Sequence, residues 1–295
     1  MSRFRCGTVA LAGRPNTGKS SLLNKLLGEK LASVSDKAQT TRHPLTGVLT
    51  TADCQYLLVD LPGYQTRHLN VLNRALNRNA LEGARGCDVV AFVVEAAGFG
   101  RADRIALARI PQEASLVAVV NKIDLVRNRR ELLPFVGRLS QEREFAAVVP
   151  VSARTGENLP ELLRVLRERL PQAPAAYPAE QLTDRSERFL AAEILREKLF
   201  RLLGEELPYR CEVALESFRE EGRLRRLEAV IWVERESQKP IVIGAGGALL
   251  KKISSAARRD MEARFGGKVY LGVWVKVKRD WTADARALRQ LGYGR

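Results

Sequence analysis

The 295 residues, 45% of them hydrophobic, are ample for a core in each of roughly two domains. Forty-nine Lys and Arg against 34 Asp and Glu leave a net charge of +15, which points to a polyanionic partner, either nucleic acid or an anionic membrane surface. Cys6, Cys54, Cys87 and Cys211 lack C-x-x-C spacing and a nearby His, there is no signal-peptide layout, and the longest apolar run (89–94) is far short of a membrane span; a soluble cytosolic protein without disulfides or zinc is expected, with peripheral membrane contact left open.

The first 170 residues alternate short β-branched runs with helical patterns, the signature of an α/β domain with a mostly parallel sheet and helices on both faces. A strand at 8–12 leads into Gly13-Arg14-Pro15-Asn16-Thr17-Gly18-Lys19-Ser20, a complete G-x-x-x-x-G-K-S loop, and then into the amphipathic run 21–27. Strand, loop and helix in that order aim backbone N–H groups and a helix N-terminus at one anion, a nucleoside triphosphate. The glycines let the backbone approach the phosphates, Lys19 neutralises β- and γ-phosphate charge, and the Ser20 hydroxyl suits a Mg²⁺ position. Further strands are expected at 55–60, 88–95, 115–121 and 147–151, and helices at 69–83, 103–109, 130–144 and 159–170. Asn158 and Glu161 have the spacing of a capping box at the last of these helices.

Ligands of open α/β sheets bind at the carboxyl ends of the strands, so the residues that follow each strand matter most. The strand at 55–60 ends in Asp60-Leu61-Pro62-Gly63, followed by Tyr64: a carboxylate to hold Mg²⁺ through water and a glycine N–H for the γ-phosphate. The run 116–120 ends in Asn121-Lys122-Ile123-Asp124. Asp124 can accept both the N1–H and the exocyclic N2–H₂ of guanine, donors that adenine does not offer there. Asn121 is expected to brace the loop and touch the base, and the Lys122 stem to cover the ring face. The run 148–151 ends in Ser152-Ala153, whose backbone N–H suits guanine O6. These four motifs specify GTP over ATP and disfavour a P-loop ATPase or kinase.

Three prolines between 171 and 178 end the helical pattern, which places a linker at 171–182 and a smaller α+β domain at 183–295. That domain reads as a helix at 183–203, strands at 211–218, 226–234 and 269–277, and a helix opened by Ile241-Val242-Ile243-Gly244-Ala245-Gly246-Gly247. Alone, the glycine run fits a flexible turn with a helix cap as well as a binding loop. Its surroundings favour binding: residues 239–279 hold ten Lys or Arg, among them Lys251, Lys252 and Arg258, against two acids. The layout is that of a K-homology (KH) domain, in which a glycine loop admits a nucleic-acid backbone and an apolar groove holds unstacked bases.

The motif series is similar to the translation-factor-class GTPases. Over nearly the whole chain it resembles the Era-like GTPases, including Glu206-Leu207-Pro208-Tyr209 and the segments 274–278 and 288–293. The resemblance implies a GTPase domain at 1–170 and a type II KH domain, GTP or GDP with Mg²⁺ as ligands, and Lys19, Thr41, Asp60 and Gly63 as catalytic residues. Thr41, within Gln39-Thr40-Thr41-Arg42, then joins Ser20 and Asp60 as a Mg²⁺ ligand only when γ-phosphate is present. It further implies binding of the 3′ end of 16S ribosomal RNA and assistance in maturation of the small (30S) subunit; no heptad or swap signal argues for a dimer, so a cytoplasmic monomer is expected. The RNA would be held by Ile243, Gly244, Ala245, Gly246, Gly247, Lys251, Lys252 and Arg258. Asn16 matches an asparagine that helps some relatives bind K⁺ in place of an arginine finger, and asparagine also suits a tight loop. Tyr64 stands where Ras-like enzymes have a water-orienting glutamine, which implies slow intrinsic hydrolysis; Gln65, one position later, reads as a solvated loop residue. Two residues depart from the family: Leu61, usually threonine, and Ala245, commonly lysine, whose loss implies weaker RNA affinity unless Lys251 or Lys252 compensates. The competing reading is a membrane-surface or signalling GTPase whose basic second domain binds anionic lipid or a protein partner. An apolar groove beside a glycine loop favours RNA, because lipid headgroups require charge but no base-sized pocket.

Overall fold

Strands β1 (Arg5–Ala12), β2 (Leu45–Thr50), β3 (Cys54–Asp60), β4 (Val89–Glu95), β5 (Ser115–Asn121) and β6 (Ala147–Pro150) form one sheet, in the order β2-β3-β1-β4-β5-β6. The computed structural model describes residues 4–37, 39–66, 70–204 and 206–293, and they fall into two units. The first comprises the described residues of 1–32, 41–69 and 73–184, and the second those of 33–40, 70–72 and 185–295.

In the first unit all strand pairs are parallel except β2–β3. The helices are α1 (Lys19–Leu27), α2 (Val71–Arg85), α3 (Arg101–Leu107), α4 (Leu132–Glu142) and α5 (Leu159–Arg167). Val89 to Val94 and Val117 to Val120 are fully buried, as central parallel strands covered on both faces require. The register pairs Leu11 with Asp60 and Glu95 with Asn121, so the carboxyl ends of β3, β4 and β5 present those polar residues along one edge.

Several elements differ from expectation. Strand β2 is absent from the sequence reading; Leu-Thr-Gly-Val-Leu-Thr has a glycine at its centre, and its extended form comes from antiparallel pairing with β3. Helix α3 starts and ends two residues before the expected 103–109. Residue 69, the expected start of α2, lies outside the described residues. No capping box opens α5: Asn158 has φ 61, and its Nδ2 donates to Pro150 O at 2.8 Å instead of its side chain capping the helix. Residues 172–183 lie along the first unit, where Gln55 Nε2 donates to Tyr177 O at 2.8 Å and Thr183 Oγ1 to Thr46 O at 2.6 Å.

The second unit contains α6 (Glu187–Leu202), β7 (Glu212–Glu221), β8 (Leu224–Val233), α7 (Lys239–Ile243), α8 (Ala248–Phe265), β9 (Lys268–Val277) and α9 (Ala285–Gln290). Its sheet runs β7-β8-β9, antiparallel then parallel. One face packs on α6 and α8 through Leu195, Leu199, Leu227, Ile231, Ile253 and Met261. Helix α6 starts four residues later than expected, where the Ser186 side chain accepts from Phe189 N. Ser33 and Thr40 pack here: Ser33 Oγ donates to Glu193 O at 3.1 Å, and buried Arg196 donates to Thr40 O and to the Glu193 carboxylate. No helix among the described residues is long and apolar enough to cross a membrane.

Candidate functional site

The loop between β1 and α1 is shaped by a glycine at its helix end. Gly18 has φ 94, and a Cβ there would come within 2.4 Å of Asn121 Nδ2, so the loop closes only around glycine. Lys19, just inside α1, is buried and donates from Nζ to Arg14 O at 2.8 Å, within the loop it belongs to. Burial pushes its ammonium down to about 8; Asp60 opposes that shift and Arg14 adds to it.

Three oxygen-bearing side chains meet beside Lys19. Ser20 Oγ lies 2.6 Å from Asp60 Oδ2 and 2.9 Å from Thr41 Oγ1, and Thr41 Oγ1 lies 3.0 Å from Asp60 Oδ2. Two hydroxyls and a carboxylate are the hard donors that suit Mg²⁺, which prefers oxygen and keeps several waters. The loop after β3 folds onto the phosphate loop: Tyr64 N donates to Gly13 O at 3.0 Å, and a Cβ on buried Gly63 would stand 2.7 Å from Pro15. Leu61 points away from this cluster into the core with Phe92 and Ala84, where Gly83 leaves room for it. Gln65 is buried, not solvated, because Asn77 of α2 takes both its N–H (2.8 Å) and its carbonyl (2.9 Å).

At the end of β5, Asn121 is buried with both ends of its amide in use. Nδ2 donates to Thr17 O, and Oδ1 accepts from Ala153 N, each at 2.9 Å. It therefore braces the phosphate loop against the Ser152-Ala153 loop, and the Ala153 N–H expected to face the base is turned to Asn121 instead. Ser152 Oγ donates to Asp124 Oδ1 at 2.5 Å and Arg154 Nε to Oδ2 at 2.7 Å. Partial burial pushes the Asp124 carboxyl up, but these donors and the Arg154 charge outweigh it and hold the group below its ordinary value.

Two carboxylates complete the site without belonging to any motif. Glu95, the last residue of β4, takes Arg14 Nη2 at 3.2 Å and Lys122 Nζ at 2.6 Å, so it links the phosphate loop to the base loop. Lys122 Nζ also donates to Asn16 O at 2.7 Å. Buried Asp103 at the start of α3 holds Arg14 Nε at 2.9 Å and accepts from Gly100 N at 3.0 Å. Glu95 is legible as the last residue of an expected strand; Asp103 carries no sequence signal.

In the second unit the glycine run separates α7 from α8. Gly244 has φ 75 and passes so close to Leu249 that a Cβ would lie 2.7 Å from its Cβ. Ala245, Gly246, Lys251, Lys252 and Arg258 are exposed, with Ile243 and Gly247 partly so, and Ile241 beside them is an exposed large apolar side chain. Arg258 Nη1 lies 3.3 Å from Glu262.

Residues 8–122 match the family model described as 50S ribosome-binding GTPase, and residues 206–282 that of the KH domain. Curated proteins called GTPase Era match along almost their full length. That of Nitrosomonas eutropha is 48% identical over 292 residues, 99% of each sequence. That of a Neisseria meningitidis serogroup C strain is 51% identical over 291 residues, 98% of this chain and 95% of the relative. Among solved structures, an Aquifex aeolicus Era variant bound to GDP and AlF₄⁻ superposes with a TM-score of 0.95 at 34% identity, covering 99% of this chain and 100% of the other. An Era complex with MgGDPNP and nucleotides 1506–1542 of 16S ribosomal RNA superposes with the same score, identity and coverage.

Proposed function

The chain belongs to the Era family of GTPases, and we propose that it is a GTP-hydrolysing switch that binds the 3′ end of 16S ribosomal RNA and assists maturation of the small (30S) subunit. The observation that carries this reading is the convergence of Lys19, the Ser20–Thr41–Asp60 cluster and Asp124 at one sheet edge, on a chain with an exposed KH glycine loop. Residues 13–20, 60, 62–64, 122–124 and 152 hold the nucleotide in this reading, while Asn121 and Ala153 brace their loops and Leu61 anchors its own in the core. Lys19 meets β- and γ-phosphate charge, and Asp124 accepts from the guanine edge. Ser20, Thr41 and Asp60 hold Mg²⁺, which when bound neutralises charge between the β- and γ-phosphates.

GTP hydrolysis transfers the γ-phosphoryl group to water, and here catalysis is positioning plus electrostatics. Tyr64 has no side-chain amide, and the Gln65 side chain is buried with its Nε2 3.4 Å from Gly63 O, so in this reading neither residue orients the attacking water and intrinsic hydrolysis is slow. In this reading Asn16 helps hold a K⁺ ion near the phosphates as an added cation; equal hydrolysis rates in matched Na⁺ and K⁺ buffers would remove that element. γ-Phosphate orders the segment around Thr41 and the loop after Gly63, and hydrolysis releases both. RNA lies along Ile243 to Gly247 with Lys251, Lys252 and Arg258. The protein works as a cytoplasmic monomer. The glycine loop, with positive φ at Gly244, Gly246 and Gly247, admits close approach of a nucleic-acid backbone, which supports RNA over a lipid surface.

The test is binding of a labelled single-stranded RNA with the 3′-terminal small-subunit sequence, against a scrambled RNA, with GTP analogue, GDP or no nucleotide. Sequence-selective, nucleotide-dependent binding is expected. Weak binding equal for both RNAs refutes the RNA assignment and leaves a lipid or protein partner.

A further inference from the structure

We propose that the solvent face of the second unit's sheet is an additional RNA contact, a stacking platform for unstacked nucleotides that lies apart from the glycine loop. It rests on the reading that this chain binds RNA. Side chains alternate along β9: Val269, Leu271, Val273 and Val275 face the core, and Lys268, Tyr270, Gly272, Trp274 and Lys276 face the other way. Helices α6 and α8 cover only the core side, so the platform and α8, which the glycine loop opens, lie on opposite faces of the sheet.

Tyr270 and Trp274 are 49% and 47% exposed, two of the five large apolar side chains that stand in solvent among the described residues. The indole has a prepared seat. A Cβ on Gly272 would come within 2.8 Å of its six-membered ring, so Trp274 lies across Gly272 and offers its outer face to solvent. Cations interleave with the rings. Arg226, cross-strand from Tyr270, sits 4.7 Å from that ring centre, and Lys276 and Lys278 each sit 5.9 Å from the Trp232 ring. With Arg219 and Lys268, this side of the sheet carries five cations. Its carboxylates are Glu228, Glu216, paired with Lys276 at 2.7 Å, Glu221, paired with Arg226 at 3.5 Å, and Glu212, cross-strand from Trp232, which is buried and accepts from the Tyr293 hydroxyl.

An exposed aromatic pair on a flat sheet, bordered by Lys and Arg, meets the two demands of single-stranded nucleic acid. Bases stack on the rings regardless of sequence, and phosphates pair with the cations. The basic border selects a polyanion over an apolar protein segment. A nucleotide run that leaves the glycine loop reaches this second surface only if it is long enough, so RNA length separates the two contacts.

The experiment uses the full chain with two labelled single-stranded RNAs of the 3′-terminal small-subunit sequence, one of about 10 nucleotides and one extended to about 25. The variants are Trp274→Ala, Tyr270→Ala, Trp274→Phe and Gly246→Asp. Stacking of one base is worth 1–3 kcal/mol, so Trp274→Ala should weaken binding of the long RNA by roughly 5- to 150-fold. Binding of the short RNA and GTP hydrolysis should stay within about twofold, Trp274→Phe should keep most of the affinity, and Gly246→Asp should weaken both RNAs. Photocrosslinks from 4-thiouridine in the long RNA bound to the unaltered chain should fall within 268–278. Long-RNA affinity unchanged in both aromatic variants, with Gly246→Asp impaired, overturns the platform and leaves the proposed function standing. A bound long RNA that gives no crosslink within 268–278 also overturns it, whether or not the alanine variants fold.

Discussion

Lys19, which the proposed function sets against phosphate charge, weakens the fold that holds it. Its ammonium is buried, and its fall from an ordinary 10.5 to about 8 corresponds to about 3 kcal/mol of destabilisation in the nucleotide-free protein. The unfolded chain binds more protons than the folded one between pH 8 and 10.5. The penalty is therefore fully present below pH 8 and is relieved as pH rises through that window. Lys19→Met keeps most of the stem and removes the charge, and Arg14 O still accepts from Thr17 Oγ1 at 3.2 Å. Urea unfolding without nucleotide at pH 7 should find the variant more stable than the parent by up to about 3 kcal/mol. The difference should close by about 1.4 kcal/mol per pH unit between pH 8 and 10. Mg-GDP at a hundred times its Kd should then stabilise the parent by about 2.7 kcal/mol and the variant far less. A nucleotide-free variant that is less stable than the parent at pH 7, or whose stability follows a parallel pH profile, would sink this reasoning.

Glu95→Gln should weaken GDP binding about 5- to 30-fold, mainly through faster release of a fluorescent GDP analogue, because two partly exposed ion pairs are lost together. Its kcat at saturating GTP should stay within twofold, and an unchanged release rate would show that the bridge between the loops is incidental. Leu61→Thr should lower stability by roughly 2–4 kcal/mol by emptying space in the core and burying a hydroxyl. Hydrolysis measured well below the unfolding temperature should hardly change, and a tenfold rate change without loss of stability would place residue 61 in the chemistry. Ala245→Lys should tighten RNA binding and steepen the log–log salt dependence by about 0.7 to 1. The same slope in parent and variant would mean that exposed residue 245 does not face a phosphate.

The central strands and the phosphate loop were legible because their signals are local: unbroken apolar runs, a fixed glycine spacing, and polar residues at strand ends. Strand β2 was not, because its extended form depends on pairing with β3. Gln65 looks solvated in sequence, and only Asn77, twelve residues later, turns its backbone inward. The Asn158–Glu161 spacing fits a capping box, but the left-handed backbone at Asn158 directs its amide to Pro150. Asp103 is the limiting case, since its partner Arg14 is 89 residues away and no motif joins them.

Motif reading assigns the phosphate loop and the base loop separate tasks, whereas the geometry makes them one body. Asn121 ties Thr17 to Ala153 with a neutral amide, and Glu95 ties Arg14 to Lys122 with charge. In the proposed reading the γ-phosphate lies beside Lys19; neither tie includes Lys19, so both should outlast the loss of that phosphate. The Thr41 contacts differ: its side chain meets Ser20 and Asp60 through a single hydroxyl. Hydrolysis should therefore leave GDP held by the base and phosphate loops and free the Thr41 segment. A switch requires this division, because a site in which every contact depended on the γ-phosphate would release its nucleotide instead of signalling its state.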